Sequence, residues 1–373
     1  MAIDSASLGL RVAQARQRAG LTQEDLARSS ELERSAIAKI ETGARRITAL
    51  ELARVAEAVG ERIEWFVQES PPAIVSHRNM SDPGEPSPRI DTAIDRFVRA
   101  VKFTAQHDGN LRSTLRSIPV FDEPTSATQT EALAQQAREL IGVGPEVPLH
   151  NLSAKMVGVG VLTFVLDLGP EAADAGSVLL EDGAVAVVNG ALRTGRRRLA
   201  LAHEFGHILI ADEYTIDWRL DSTQNSRERI IDRFARALLL PRKSLDTQWR
   251  RLGGTERSKT REAAVRTASH FRVDMSTLAR RLLDLSLIDD ETAARVRTFK
   301  TERADIVAHD LVVADELPAG ELSREYQAAV LRLFTSETIN TDRALDLLMD
   351  TWEPSDLPEL APRDESEIWQ FTS

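Results

Sequence analysis

The stretch Arg196–Ile210, RRRLALAHEFGHILI, decides how the rest of the chain is read. Its apolar residues recur at helical spacing, and inside it His203-Glu204-Phe205-Gly206-His207 places two histidines four positions apart. Four residues turn a helix by about 400°, so His203 and His207 project from one face, about one turn apart. Two neutral imidazoles in that position grip a single divalent ion, and Glu204 lies beside them to handle a water held there. The run Arg196-Arg197-Arg198 opens the helix and reads as a solvated face or as partners for carboxylates.

Working outward, the next helical stretch with acidic residues is RERIIDRFARALLLP, Arg227–Pro241. Glu228 and Asp232 are four apart and share a face, and Pro241 ends the helix. Glu228 is the expected third ligand, through an oxygen. Asp232 is expected to accept the second ring N–H of a ligating histidine and so fix its tautomer. Two histidines and one carboxylate on two helices, with a fourth position left to water, form the Glu-zincin arrangement, and Zn²⁺ is the expected ion. Asp212 and Glu213 are the nearer alternatives. Glu213 stands where a metzincin carries its third histidine, but that turn needs a glycine three residues after the second histidine, where this chain has Ile210. Tyr214 is a further candidate, for stabilising an oxyanion. His77, His107, His150, His270 and His309 lack partners at ligand spacing and read as structural or solvent-facing.

HEFGH, followed about twenty residues later by Glu-x-x-x-Asp-x-Phe-Ala-x-x-Leu-Leu-x-Pro, resembles the ImmA/IrrE family of metallopeptidases. Arg198, Leu199, Ala202, the run ending Val188-Asn189 and the segment His270-Phe271-Arg272-Val273 fit the same pattern. The family usually has Ala-Asn where this chain has Ile231-Asp232, a change that keeps a hydrogen-bond acceptor. The resemblance covers about 160 residues. It implies a zinc peptidase with Glu204 as the catalytic base and a repressor as substrate. Some long members of the family sit beside toxin genes, which implies the alternative of an antitoxin whose zincin domain binds a toxin without cutting it.

Upstream of the histidines the period changes. VGVGVLTFVLDLG (Val157–Gly169) is β-branched and interrupted by glycine, and the runs SVLL and AVAVVN follow, joined across Asp182-Gly183. They predict a hairpin or meander in a small, mostly antiparallel sheet leading into the histidine helix. Ala184–Asn189 is expected to be an edge strand able to hold an extended peptide by main-chain pairing.

Near the N-terminus, Leu8–Val67 is helical throughout, broken at Gly20, Gly43 and Gly60. Thr22 and Asp25 make a capping-box pair, and a tight turn leads into ERSAIAKIETG, with Ile37 and Ile40 facing inward. Two short helices about a turn predict a helix-turn-helix. The segment resembles the phage-repressor type, the xenobiotic-response-element family, through Gly20-Leu21-Thr22-Gln23, Leu26-Ala27, Ile37, Ile40-Glu41 and Gly43. The resemblance implies that Gln23 touches phosphate, that Arg34, Ser35 and Lys39 face base edges, and that Arg45 and Arg46 meet the next phosphates of a DNA operator. Residues 1–70 hold ten basic and eleven acidic side chains, so a second copy, in a homodimer, is expected to be needed for useful affinity.

The 373-residue chain is 42% hydrophobic and 28% charged, as ordinary globular domains are. It has no cysteine, which excludes disulfides and thiolate metal sites, and no apolar run of membrane-spanning length. The N-terminus lacks the order of a signal peptide, and a cytoplasmic location is expected. Residues 289–373 carry 20 acidic and 8 basic side chains, a balance of −12, so the rest of the chain, at +1, is close to neutral within the net charge of −11. The predicted fold is α+β and mostly helical. A five-helix helix-turn-helix domain spans 1–70, and a linker and packing helix span 71–126. A zincin-like domain with a small antiparallel sheet and the HExxH helix spans 127–288, and an acidic helical region spans 289–373.

Overall fold

The computed structural model describes residues 4–61, 63–67, 76–78, 88–211, 222–313 and 315–360. They divide into two units, Met1–Pro71 and Pro72–Ser373. The first holds helices α1 (Ser5–Arg18), α2 (Gln23–Ser29), α3 (Arg34–Glu41), α4 (Ala49–Val59) and α5 (Ile63–Val67). Short polar side chains set the helix starts. Thr22 accepts the Asp25 N–H while Asp25 reaches back to Thr22, which is the predicted capping box, and Thr48 and Glu51 repeat it on α4. Val12, Leu26, Ile37, Ile40, Val55 and Phe66 close a core of their own. Gly43 turns the chain after α3 at φ +71°, and a Cβ there would stand 2.8 Å from the Ala6 Cα, so the close approach to α1 needs glycine.

The second unit begins with β1 (Ser76–Arg78), α6 (Pro88–His107), α7 (Gly109–Thr114), α8 (Ala127–Leu140) and α9 (Leu152–Val157). Then come β2 (Val161–Leu166), β3 (Ala175–Leu179), β4 (Ala184–Asn189), α10 (Thr194–Leu209) and α11 (Ser222–Leu239). It continues with α12 (Arg242–Arg251), α13 (Thr260–Phe271), α14 (Met275–Asp284), α15 (Asp290–Thr298), α16 (Arg303–Ala308), α17 (Arg324–Thr335) and α18 (Thr341–Leu347).

The strand order is β1-β3-β4-β2. β3 runs antiparallel to both β1 and β4, and the β3–β4 hairpin turns at Asp182-Gly183 as the sequence signals. The β2–β4 pairing is parallel, from Val161 opposite Ala184 to Leu166 opposite Asn189, so the sheet is mixed. The reason is topological. The chain leaving β2 passes over one strand position before entering β3, and β4 returns into the gap beside β2 in the same direction. Asn189 stitches this crossing, accepting the Leu168 and Ala191 N–H groups and donating to the Gly169 carbonyl.

β4 is therefore interior, paired on both sides, which corrects the expectation that Ala184–Asn189 is a peptide-holding edge. A strand with both backbone edges in ladders has no N–H or C=O left for a substrate. The outer side of β2 is also met from within the chain, where Val165 bonds Glu321 and Gly320 at 2.8 Å each.

Both faces of the sheet are covered, which is why β4 reads as an unbroken apolar run rather than an alternating one. Val165, Ala186 and Val188 join one core with α8, α10 and α11. Leu162, Phe164, Val185 and Val187 join another with α6, α17 and α18. On that second face Phe97 stacks on Phe164 at 4.0 Å, and Tyr326 meets Phe164 edge-on at 5.2 Å. Helices from the segment expected to hold a linker and packing helix, and from the acidic C-terminal region, thus form one layer. Ion pairs tie the layer together: Asp346 of the acidic region receives Arg96 and Arg343, and Asp108, between α6 and α7, receives both donors of Arg332 at 2.7 and 2.9 Å. Among the described residues no helix is long and apolar enough to cross a membrane.

Candidate metal centre

α10 is buried from Arg197 to Leu209, between the sheet and α11. Its three opening arginines are carboxylate partners. Arg196 grips Asp174 bidentately at 2.7 and 2.8 Å, Arg197 pairs with Asp315, and Arg198, fully buried, pairs with Glu316 at 2.6 Å. These contacts fix the angle at which the helix enters. Gly206 then sets how close α11 can come, since a Cβ there would stand 2.8 Å from a Phe234 ring carbon and 3.0 Å from an Ile231 methyl. A helix pair this close places side chains of α10 and α11 in one small volume.

In that volume lie His203, His207 and Glu228. The His203 and His207 Nε2 atoms are 3.0 Å apart. Glu228 stands with Oε2 3.2 Å from the His203 Nε2 and Oε1 3.5 Å from the His207 Nε2. Asp232 meets the other edge of the His203 ring, Nδ1 to Oδ1 at 3.0 Å. A carboxylate only accepts, so Nδ1 carries the hydrogen and the Nε2 lone pair points at the cluster. Two buried histidines and a carboxylate thus aim acceptor atoms at a common point, an arrangement that a cation stabilises.

Glu204 is fully buried. Its Oε2 accepts a 2.8 Å hydrogen bond from the Ser177 hydroxyl, and its Oε1 is buried with no partner among the described residues. Ser177 escaped the sequence reading. It stands on β3 opposite Ala186, on the sheet face that α10 covers. The signal was a lone hydroxyl inside the apolar strand AGSVL, but nothing local tied it to a residue 27 positions on. Asp212, Glu213 and Tyr214 lie outside the described residues.

In the first unit, Arg34, Ser35 and Lys39 are exposed on α3, on the side away from buried Ile37 and Ile40, and Arg46 is exposed beyond it. Gln23 donates to Glu41 at 2.7 Å, and Glu41 also holds Arg16. Arg45 is half-buried and paired with Glu51 at 2.6 Å. The structure therefore presents four of the six expected DNA contacts outward and engages the other two with acidic side chains of the same unit.

The fold and the site define a class, a helix-turn-helix unit joined to a unit in which His203, His207 and Glu228 could hold a metal ion. Comparison with known families agrees. Residues 12–66 match the family model of a helix-turn-helix domain, and residues 158–283 match a peptidase family model described as the IrrE N-terminal-like domain. The two matches lie on separate parts of the chain, each shorter than half of it. No curated protein and no solved structure matches it.

Proposed function

We propose that this chain is a regulatory zinc-dependent peptidase, coupled through its helix-turn-helix domain to an operator, whose substrate is a repressor or another partner protein. The observation that carries the reading is the convergence of His203, His207 and Glu228 with Asp232 behind the first of them. Ligand atoms around a tetrahedral zinc, with bonds of about 2.0–2.1 Å, stand about 3.3 Å from one another. The separations of 3.0, 3.2 and 3.5 Å fit that figure, and a cysteine-free set of two histidines and one carboxylate suits zinc.

When bound, zinc supplies Lewis acidity, lowering the pKa of a coordinated water and polarising a carbonyl. The remaining tasks fall to the chain. Glu204 is the base beside the ligands, placed to take a proton from the attacking water and return it to the leaving amine. Ser177 leaves Glu204 one engaged and one unengaged oxygen, so the proton is received at Oε1. Asp232 keeps His203 in the tautomer that ligates. At the other end of the chain, Arg34, Ser35 and Lys39 are the groups offered to a major groove.

The test has two steps. The full chain is expected to carry about one zinc per protomer, and Glu204→Gln to keep it while cleavage of the partner repressor falls about 10²–10⁴-fold. If Glu204→Gln keeps the full biological effect, cleavage is not the function.

The complete burial of Glu204 favours a second reading, in which the domain binds a partner such as a toxin without cutting it. That reading expects Glu204→Gln to be silent and His203→Ala to abolish partner binding.

A further inference from the structure

Behind the metal centre, the start of α8, α11 and α14 border a groove of about 560 Å³. Its charged lining is uneven, with Arg229, Arg233, Arg236 and Arg280 facing only Asp232 and Asp284. Asp284, whose side chain is 5% exposed, serves three of the arginines at once: Arg236 at 2.9 Å, Arg280 at 3.2 Å and Arg233 at 3.8 Å. Asp232 is engaged with His203, and neighbouring Glu131 is taken by both donors of Arg281. Arg229 is exposed and has no ion pair among the described residues. Burial lowers the Arg236 guanidinium below its ordinary value, opposed by Asp284 and Asp232 and reinforced by Arg280. The N-terminus of the 14-residue helix α8, capped by Ser126, adds partial positive charge on the third side.

We propose that this groove binds a small phosphorylated ligand, held chiefly by Arg229, Arg233 and Arg280. Four guanidinium groups against two carboxylates leave two positive charges unmatched, the charge of a phosphate dianion. Planar guanidinium forks from two helices offer more donors than one carboxylate can accept, whereas a phosphate has an oxygen for each. The volume is within the range of small-molecule pockets, about 300–1,000 Å³.

The groove is not the substrate cleft. Asp232 meets His203 at Nδ1, and the ligating atom is Nε2 on the opposite edge of the ring, so the groove reaches the metal centre from the rear. An occupant is therefore an effector. Its negative charge, set behind the site, tightens cation binding there, and by linkage a loaded site tightens the anion. The site is independent of the peptidase reading, because its donors belong to no part of the cutting machinery.

The test is isothermal titration of the full chain at fixed ionic strength, with metal removed and again with metal loaded. The probes are inorganic phosphate, inorganic pyrophosphate and adenosine monophosphate, with chloride as control. Saturable binding is expected in both states, and at least tenfold weaker in Arg229→Gln and in the double variant Arg233→Gln, Arg280→Gln. Arg229→Gln removes an exposed side chain, so its loss of binding is not a loss of fold. Preference for the nucleotide identifies a phosphorylated metabolite, and equal affinity for phosphate identifies a phosphate sensor. Absence of saturable binding overturns the proposal. So does binding that appears only with metal and ignores the arginine variants, since that is an anion on the metal itself.

Discussion

His203 is defined by what lies at each of its two ring nitrogens. Nε2 faces His207 and Glu228, and Nδ1 faces Asp232. Removing a hydrogen-bond partner of this kind weakens metal affinity by about 10–100-fold. Asp232→Ala is therefore expected to raise the zinc dissociation constant by that factor in a chelator competition. Asp232→Asn, which keeps an acceptor, should lose less. Equal affinities across the three proteins would show that the contact does nothing for the metal. Ser177 makes a different prediction. Its 2.8 Å bond to Glu204 touches no ligand, so Ser177→Ala should leave zinc content unchanged. Loss of one hydrogen bond worth about 1 kcal/mol should lower kcat roughly fivefold. A drop in zinc content instead would mean that Ser177 supports the site's structure rather than its base.

Elements carry constraints that single residues do not show. α10 and α11 meet where Gly206 leaves room for Phe234 and Ile231, both fully buried. Gly206→Ala would push a methyl into a packed ring, an overpacking cost of about 1–3 kcal/mol. It would also move Glu228 away from the histidines. Urea denaturation of the metal-free chain should show the loss, and weaker zinc binding should accompany it; a fully stable variant would mean that α11 can withdraw without harm. In α3, hydrophobic Ile37 and Ile40 point inward, and the exposed face bears Arg34, Ser35 and Lys39. A gel shift on the DNA upstream of the chain's own reading frame should weaken with Lys39→Ala or Arg34→Ala. No shift at low salt for the unaltered protein would end the DNA reading.

Over the whole molecule, the sheet is held between two helical layers, and the second is built from segments at opposite ends of the unit. Arg332 reaches Asp108 across 224 positions, and Tyr326 lies against Phe164. A chain truncated after Leu311 would uncover Leu162, Phe164, Val185 and Val187, and is expected to lose its cooperative thermal transition and aggregate. Retention of a sharp transition would show the layer to be dispensable. Acid should act on the same scale. Hydrogen bonds from Arg261 hold Asp305 down from its ordinary 3.8 to about 2. A depressed folded-state value stabilises above the unfolded value and fails as pH falls through the folded one. The melting temperature of the metal-free chain should therefore decline between pH 3.8 and about 2, and Asp305→Asn should flatten that decline.

What the sequence determined by itself is what repeats at short range. The spacing of His203 and His207, the capping pair Thr22 and Asp25, the helix ends and the Asp182-Gly183 turn all depend on neighbours within a turn or two. Backbone geometry alone ties them together, so the helix-turn-helix and the histidine face were legible. Glu228 and Asp232 were legible as a shared helix face, and only the packing of α11 on α10 brought that face to the histidines. The parallel pairing of β4 with β2, the link from Ser177 to Glu204 and the arginine groove had no local signal. β4 is an apolar run under either topology, and no period connects residue 177 to 204 or 126 to 280. Those features were decided by which surfaces buried one another, a choice that the whole chain makes at once.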